Sequence, residues 1–141
     1  MPLLEKPEGD FVWDDSDKPL VFVAGGIGIT PFRSMLKQRA HDNLPLNVTL
    51  VYGNRTNAIV FKDEFDNYAA QNPEFKVEYV TGEPLTAAKL AELVPNLCSS
   101  LVYVSGPEPM VEALGNQLKA AGLPEIQLKQ DFFPNYTAEN Y

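Results

Sequence analysis

The 141-residue sequence has very little cysteine and histidine, two residues on which many enzyme and metal sites are built. It has one cysteine, Cys98, so an internal disulfide framework is excluded and a reducing compartment is weakly indicated. It also has one histidine, and it contains no HExxH motif, GxSxG elbow or Walker A sequence. An acidic loop at Asp14, Asp15 and Asp17 lacks the glycine and distal glutamate of a calcium loop. We therefore expect no metal site.

Long apolar runs and an excess of positive charge are also missing. No apolar run approaches the ~20 residues that span a bilayer, and the polar segment 1–10 is unlike a signal peptide. Acidic residues outnumber basic ones by 19 to 11, and the net charge of -8 argues against nucleic acid or an anionic membrane surface as a partner. These features predict a cytoplasmic globular domain with no visible membrane contact. A parent protein attached to the cytoplasmic side of a membrane stays compatible with this prediction.

The most informative stretch runs from Leu20 to Ser34. Leu20 to Ala24 are continuously apolar, which is typical of a strand buried on both faces of a parallel sheet. The turn that follows is rich in glycine and ends in a candidate N-cap and a proline at the predicted first helical position: Gly25, Gly26, Gly28, Thr30 and Pro31. Unpaired amides and the helix dipole make such a turn an anion site. A pyrophosphate is the expected ligand.

The turn departs from the usual dinucleotide fingerprint in two places. Pro31 replaces the third glycine, so the pattern is GxGxxP. The acid expected about 20 residues further on is absent, and the second strand is followed instead by Tyr52, Gly53, Asn54 and Arg55. An ordinary NAD dehydrogenase is therefore disfavoured. Nucleotide binding and a purely structural glycine turn both remain open on this evidence.

Apolar patterning predicts that strands and helices alternate along the chain. We expect strands at 20–24, 46–52, 75–81, 101–104 and 126–128, with the third at a sheet edge, and helices at 31–41, 62–70, 86–93 and 109–121. This alternation predicts an α/β fold with a parallel sheet. In such a sheet the loops 25–30, 52–55, 81–83 and 105–107 converge on one edge, where ligands bind.

Four segments, GGIGITPFRSML, YGNRT, FKDEFDNY and YVSGPEPMVEAL, occur in the order and spacing of a known family. Together they resemble the NAD(P)-binding domain of the ferredoxin–NADP(+) reductase superfamily, over about residues 8–133. The resemblance implies a Rossmann-like five-stranded sheet of order 3-2-1-4-5 with helices on both faces. It also implies a preceding flavin-binding barrel, which is missing here. We therefore expect a connector from that domain at 1–19, the NAD(P)-binding domain at 20–133 and a C-terminal tail at 134–141.

The resemblance also implies roles for individual residues. The glycine turn with Thr30 and Pro31 would hold the pyrophosphate, and the segment Tyr52 to Arg55 would line the ribose and phosphate side. Thr30 and Ser105 are the candidate catalytic residues beside the nicotinamide, although many relatives have cysteine where Ser105 stands. The remaining candidate binding residues follow the fourth strand and lie in the tail: Gly106, Pro107, Met110 and Phe133. A core role for Met110, and a sheet-closing role for Phe133, remain alternatives to flavin or nicotinamide contact.

The loop after the third strand bears on the choice of cofactor. NADP-preferring relatives commonly begin this loop with a Ser-Arg pair that holds the 2′-phosphate, whereas here Thr81 and Glu83 stand in it. An anionic Glu83 would repel a 2′-phosphate and accept a hydrogen bond from a 2′-hydroxyl. Arg55, on the same edge, would favour a phosphate instead. On balance the sequence slightly favours NADH over NADPH.

The sequence thus predicts the NAD(P)H-binding part of a flavoprotein oxidoreductase, which positions nicotinamide for hydride transfer to FAD or FMN on a separate domain. Alone, the chain is not expected to be catalytically complete, and none of its motifs identifies the electron acceptor. The alternative is a stand-alone dinucleotide-binding or regulatory module that docks on a separate flavoprotein. A patch formed by Phe11, Trp13 and the DFFPNY tail, if exposed, would suit either partner. A flavodoxin-like FMN site is disfavoured because its phosphate loop is rich in Ser and Thr.

Overall fold

A computed structural model describes residues 12–13, 18–56 and 59–133, and it contains one five-stranded parallel sheet. The strands are β1 (Leu20–Gly25), β2 (Thr49–Asn54), β3 (Lys76–Thr81), β4 (Leu101–Pro107) and β5 (Leu128–Phe133). Their spatial order is β3-β2-β1-β4-β5, and all neighbours pair in parallel. The predicted order 3-2-1-4-5 and the edge position of β3 are confirmed. Fully buried β1 lies at the centre, as its unbroken apolar run predicts.

Four helices cover the two faces of the sheet: α1 (Ile29–His41), α2 (Lys62–Gln71), α3 (Ala87–Leu93) and α4 (Glu108–Ala120). Alternate residues of β1 point to opposite faces. Leu20, Phe22 and Ala24 belong to the core under α1 and α2, whereas Val21 and Val23 belong to the core under α3 and α4. Helices on both faces are the arrangement that the sequence predicted.

Aromatic side chains fix the segment before β1 on the α1 face. Phe22 stacks on Phe32 with ring centroids 4.5 Å apart, and Trp13 meets the edge of Phe22 at 5.4 Å. The Tyr103 hydroxyl donates a 2.6 Å hydrogen bond to the Val12 carbonyl oxygen. The expectation that Trp13 forms an exposed patch is therefore wrong, because its ring packs on the core. Phe11 and the tail beyond 133 lie outside the described residues.

Several predicted boundaries are also wrong, chiefly where backbone pairing outweighs local pattern. The fifth strand begins at Leu128 and not at Ile126, which lies in a 3₁₀ turn with its side chain 87% exposed. Strand β2 begins at Thr49, three residues late, although Leu46 and Val48 are buried. Strand β4 extends to Pro107, because its last residues pair with β5. No helix in the described ranges is long and apolar enough to cross a membrane.

Candidate functional site

The loops predicted to bind ligand lie along the carboxyl edge of the sheet. In the register of β1 and β2, Gly25 faces Gly53, and in that of β1 and β4, Ala24 faces Ser105. At the next strand pair the Gly82 amide donates a 3.2 Å hydrogen bond to the Asn54 carbonyl oxygen. The order of strands reverses on either side of β1, which makes this edge the switch point where α/β sheets bind ligands.

The glycine turn is tighter than predicted. Gly26–Gly28 form a 3₁₀ turn in which Gly26 has φ +55°, a conformation that favours glycine. Gly28 already has helical dihedral angles and precedes the first residue of α1. Thr30 is therefore inside the helix, and its hydroxyl donates to the Ile27 carbonyl oxygen at 3.0 Å. The prediction that Thr30 is the N-cap is wrong, and Pro31 is the third helical residue, where its missing amide hydrogen still costs no helical bond.

Two of the other glycines have a packing reason to be glycine. A Cβ on residue 28 would overlap the Ser105 carbonyl group and lie 2.7 Å from the Gly106 Cα. A Cβ on residue 53 would lie 2.7 Å from a Leu85 methyl carbon. The glycine turn thus rests directly on the end of β4, and Gly53 leaves room for Leu85.

A cavity of about 200 Å³ opens beside the glycine turn. Its lining is largely apolar and comes from the turn, the first helical residues, the end of β2 and the connection to α2: Gly26, Ile27, Ile29, Thr30, Tyr52, Asn54, Val60 and Phe61. Burial raises the pKa of Tyr52, and a backbone hydrogen bond with Val60 partly offsets this. The cavity is lined by residues of two loops that the sequence predicts to bind ligand. It is also lined by Val60 and Phe61, to which the sequence analysis assigns no role. Their one local signal is that two apolar residues precede the charged start of α2.

Phe61 has an unusual backbone conformation, and its ring lies against a charged pair. It has φ +66°, begins α2 without a side-chain cap, and is 38% exposed. The Arg33 guanidinium carbon lies 4.0 Å from the centre of its ring. Arg33 also forms a forked ion pair with Glu64, donating from Nε to Oε2 at 3.0 Å and from Nη2 to Oε1 at 3.1 Å. This pair joins α1 to the start of α2.

The end of β4 presents a buried polar group beside the glycine turn. Ser105 is fully buried, and among the described residues its hydroxyl has no hydrogen-bond partner. Met110 packs against the core under α3 and α4, which supports the core role left open by the sequence. Phe133 pairs with Pro107 at the end of β5. The roles of Ser105 and Phe133 toward a ligand stay predictions.

The loop after β3 carries the charges that bear on cofactor choice. Thr81 and Glu83 are exposed. The Glu83 carboxylate lies 3.6 Å from the Lys89 ammonium on α3, and both side chains are partly exposed. Arg55 is also exposed at the end of β2, where its amide donates to the Asn54 side chain at 3.0 Å. Glu83 is therefore a paired carboxylate, which the sequence did not predict.

A larger open cleft, of about 690 Å³, lies at the opposite end of the sheet. It is formed by the C-terminal ends of α1 and α2 and by residues before β2, including Leu44, Leu46, Tyr68 and Glu74. The Glu74 carboxylate accepts a hydrogen bond from the Leu46 amide at 3.0 Å, so this carboxylate has a structural role. Because ligands of parallel sheets bind at the carboxyl ends of strands, the smaller cavity is the candidate site.

A doubly wound parallel sheet with a glycine turn at its switch point defines a nucleotide-binding α/β domain. Residues 22–115 match the family described as the oxidoreductase NAD-binding domain. The chain belongs to that family.

The chain is also similar to parts of larger oxidoreductases. It is 35% identical over 139 residues to a flavohemoprotein of Pseudomonas putida, covering 90% of this chain and 35% of that protein. It is 30% identical over 141 residues to the ferredoxin reductase component of the 3-ketosteroid-9-alpha-monooxygenase of Mycolicibacterium smegmatis, covering 96% and 39%. The chain thus spans little more than a third of these relatives.

Among solved structures, it superposes on the flavohem-like FAD/NAD-binding domain of a nitric oxide dioxygenase from Vibrio cholerae. The TM-score is 0.74 at 24% identity, and the match covers 89% of this chain and 55% of the other. A ferredoxin–NADP+ reductase from Plasmodium falciparum has the same fold, with a TM-score of 0.67 at 18% identity, covering 82% and 52%. These two structures confirm the predicted fold, and the family match of residues 22–115 confirms the predicted NAD-binding domain.

Proposed function

We propose that this chain binds NADH along the carboxyl edge of its sheet and presents the nicotinamide to a flavin, FAD or FMN, held by another domain. The observation that carries the proposal is the apolar cavity between the glycine turn and the end of β2, at the switch point of the sheet. The flavin part of the proposal draws on the similar proteins, which include flavohemoproteins and an FAD/NAD-binding domain.

The residues of the edge fit a dinucleotide in chemical type. Backbone amides of the glycine turn and the positive end of α1 suit a pyrophosphate, and Gly26 leaves the backbone open to close approach. Ser105 offers a buried hydroxyl that lacks a partner in the described part of the protein, and the polar carboxamide of nicotinamide would satisfy it. The bound nicotinamide would supply the hydride chemistry, while these residues bind and orient it.

The preference for NADH rests on Glu83. Its carboxylate would accept from a ribose 2′-hydroxyl and repel a 2′-phosphate. The Lys89 ammonium at 3.6 Å reduces this repulsion, and the exposure of both side chains adds solvent screening. We therefore expect NADH to bind about 1.5- to fivefold more tightly than NADPH, which is a modest ratio in line with a screened charge pair.

The test is a titration of the isotope-labelled chain with NADH and with NADPH, followed by amide NMR shifts. Shifts centred on residues 25–30, 52–55 and 105–107, with tighter binding of NADH, are the expected result. Glu83→Gln should bring the two affinities together, because it removes the repulsion and leaves Lys89 unpaired by Glu83. Lys89→Met is the matched control and should widen the preference for NADH. Equal affinities in the wild-type chain would reject the preference, and shifts confined to the distant cleft would reject the site.

A further inference from the structure

Phe61 is the wall residue of the cavity whose local geometry is least explained by its own sequence. A phenylalanine with positive φ is uncommon, and such conformations persist only where the surroundings impose them. Helix N-caps normally have extended backbone and a capping side chain, and Phe61 has neither. Its conformation is therefore imposed by tertiary contacts.

Arg33 makes the contact with the exposed ring. Its guanidinium lies 4.0 Å from the ring centre, and its forked bond to Glu64 fixes the plane of the guanidinium. Arg33 lies one helical turn beyond Thr30, which lines the opposite wall of the cavity. One side chain thus connects the α2 wall with the glycine-turn wall.

The charge of Arg33 is already committed. Both oxygens of Glu64 accept from it at 3.0–3.2 Å, and the two side chains are only 30% and 27% exposed. A cation paired in this way is a poor ligand for phosphate, although its position near the glycine turn would suggest that role. Its geometry suits the support of a ring.

We infer that Arg33 is a positioning residue of the dinucleotide site, acting through Phe61. Together with Glu64, Arg33 holds the Phe61 ring in the position that sets the width of the cavity. The cavity of about 200 Å³ is smaller than the ~300 Å³ at which sites for whole small ligands begin, so it admits a group the size of one ring. This inference rests on the proposed function, because it assigns the cavity to part of the dinucleotide.

The experiment compares three variants by NADH titration with amide NMR: Arg33→Lys, Arg33→Gln and Glu64→Gln. All three should weaken NADH binding by about 2- to 30-fold, the range for residues that act without touching the ligand. Arg33→Lys should fail to rescue, because lysine keeps the charge but loses the fork and the flat stacking surface. Asp66→Asn is the control, since it removes another ion pair of α2, Lys62–Asp66, and should leave the affinity unchanged.

A different pattern of affinities would show that Arg33 binds the ligand directly by its charge. If Arg33 binds phosphate by its charge, Arg33→Lys will retain affinity and Glu64→Gln will increase it, and the positioning role is overturned. Wild-type affinity in all three variants overturns it equally. Should Arg33 variants unfold, Phe61→Gly serves as the second test, because glycine accepts the positive φ while removing the ring. It should weaken NADH binding while the chain stays folded.

A ligand-free measurement separates failure of this inference from failure of the proposed function. Arg33→Gln should shift the amides of both walls, at 26–30 and 60–61, without any NADH. Wild-type protein that shows no shifts with millimolar NADH would reject the proposed function and with it the ligand role of Arg33. Ligand-free spectra in which the glycine turn is unmoved would reject the connection between the walls, whatever the wild-type chain binds.

Discussion

Replacing Gly28 by alanine tests whether the glycine turn is selected by packing against β4. Gly28 has φ -62°, so alanine fits its backbone, but at the N-cap of α1 glycine is preferred over alanine and the change gains no helix propensity. The added Cβ, however, would overlap the Ser105 carbonyl group and lie 2.7 Å from the Gly106 Cα. Both obstacles are backbone atoms of a central strand, which cannot rotate away.

The steric term therefore decides the size of the effect. Ordinary contact begins at 3.4 Å, so the turn must withdraw from Gly106 by at least about 0.7 Å and from Ser105 by more. Overpacking of this kind costs about 3 kcal/mol at the upper end of its usual range. We therefore expect Gly28→Ala to lower the free energy of unfolding by about 3 kcal/mol, and the melting temperature by about 10 °C for a chain of this length.

Urea unfolding followed by Trp13 fluorescence and circular dichroism measures the effect, because the single tryptophan packs on the core. Gly53→Ala is the matched control. Its Cβ would also meet an atom at 2.7 Å, but that atom belongs to the flexible Leu85 side chain, so a loss below about 1.5 kcal/mol is expected. A Gly28→Ala protein as stable as the wild type would refute the packing argument.

Three further predictions follow from buried polar groups. Ser105→Ala should leave the free energy of unfolding unchanged or raise it by up to about 1 kcal/mol, because it removes a hydroxyl without a partner among the described residues. The same substitution should weaken NADH binding. Lower stability in urea unfolding together with unchanged affinity in NADH titrations would contradict this prediction. Gln127→Leu should cost about 2 kcal/mol in urea unfolding, since its amide donates to the Cys98 and Ser100 carbonyl oxygens, whereas exposed Gln130→Leu should cost less. Burial and the hydrogen bond to Asp66 raise the pKa of Tyr79, so the folded state keeps the phenol proton to a higher pH than the unfolded state does. The resulting contribution to the free energy of unfolding is fully present below about pH 10, the pKa of the unfolded state, and is lost as the pH rises above it. Tyr79→Phe should therefore flatten the alkaline decline in urea stability, and parallel curves for the two proteins would reject the assignment.

The parts of the fold that local pattern predicts well are those buried on both faces. The apolar run of β1 is sufficient to identify a central strand, because every one of its side chains is buried. The order of the strands came from the resemblance carried by four loop motifs, since local pattern carries no information on which strands pair. Strand β5 was misplaced because Lys129 and Gln130 are exposed, and their strand conformation depends on pairing with β4.

The candidate site also has one part that local sequence pattern predicts and other parts that it does not. The glycine turn has a local signal, so the sequence identified it. The Phe61 wall depends on Arg33, which is 28 residues away in the sequence, and on a positive φ that phenylalanine propensity argues against. The pairing of Glu83 with Lys89 depends on how α3 folds back toward the β3 loop. Ion pairs that join two separate elements in this way cannot be identified from a single sequence motif.

The departure from the usual fingerprint has a structural explanation. In a GxGxxG turn the third glycine allows close packing of helix on strand. Here that close approach occurs earlier, where Gly28 meets the backbone of Ser105 and Gly106. Pro31 is the third residue of α1, where no helical hydrogen bond is lost. A Cβ on residue 106 would point to different neighbours, the Met110 sulfur at 2.7 Å and the Gly25 carbonyl oxygen at 3.3 Å. A substitution at residue 28 should therefore displace the turn from the backbone of β4, whereas one at residue 106 should first displace the flexible Met110 side chain and cost less stability.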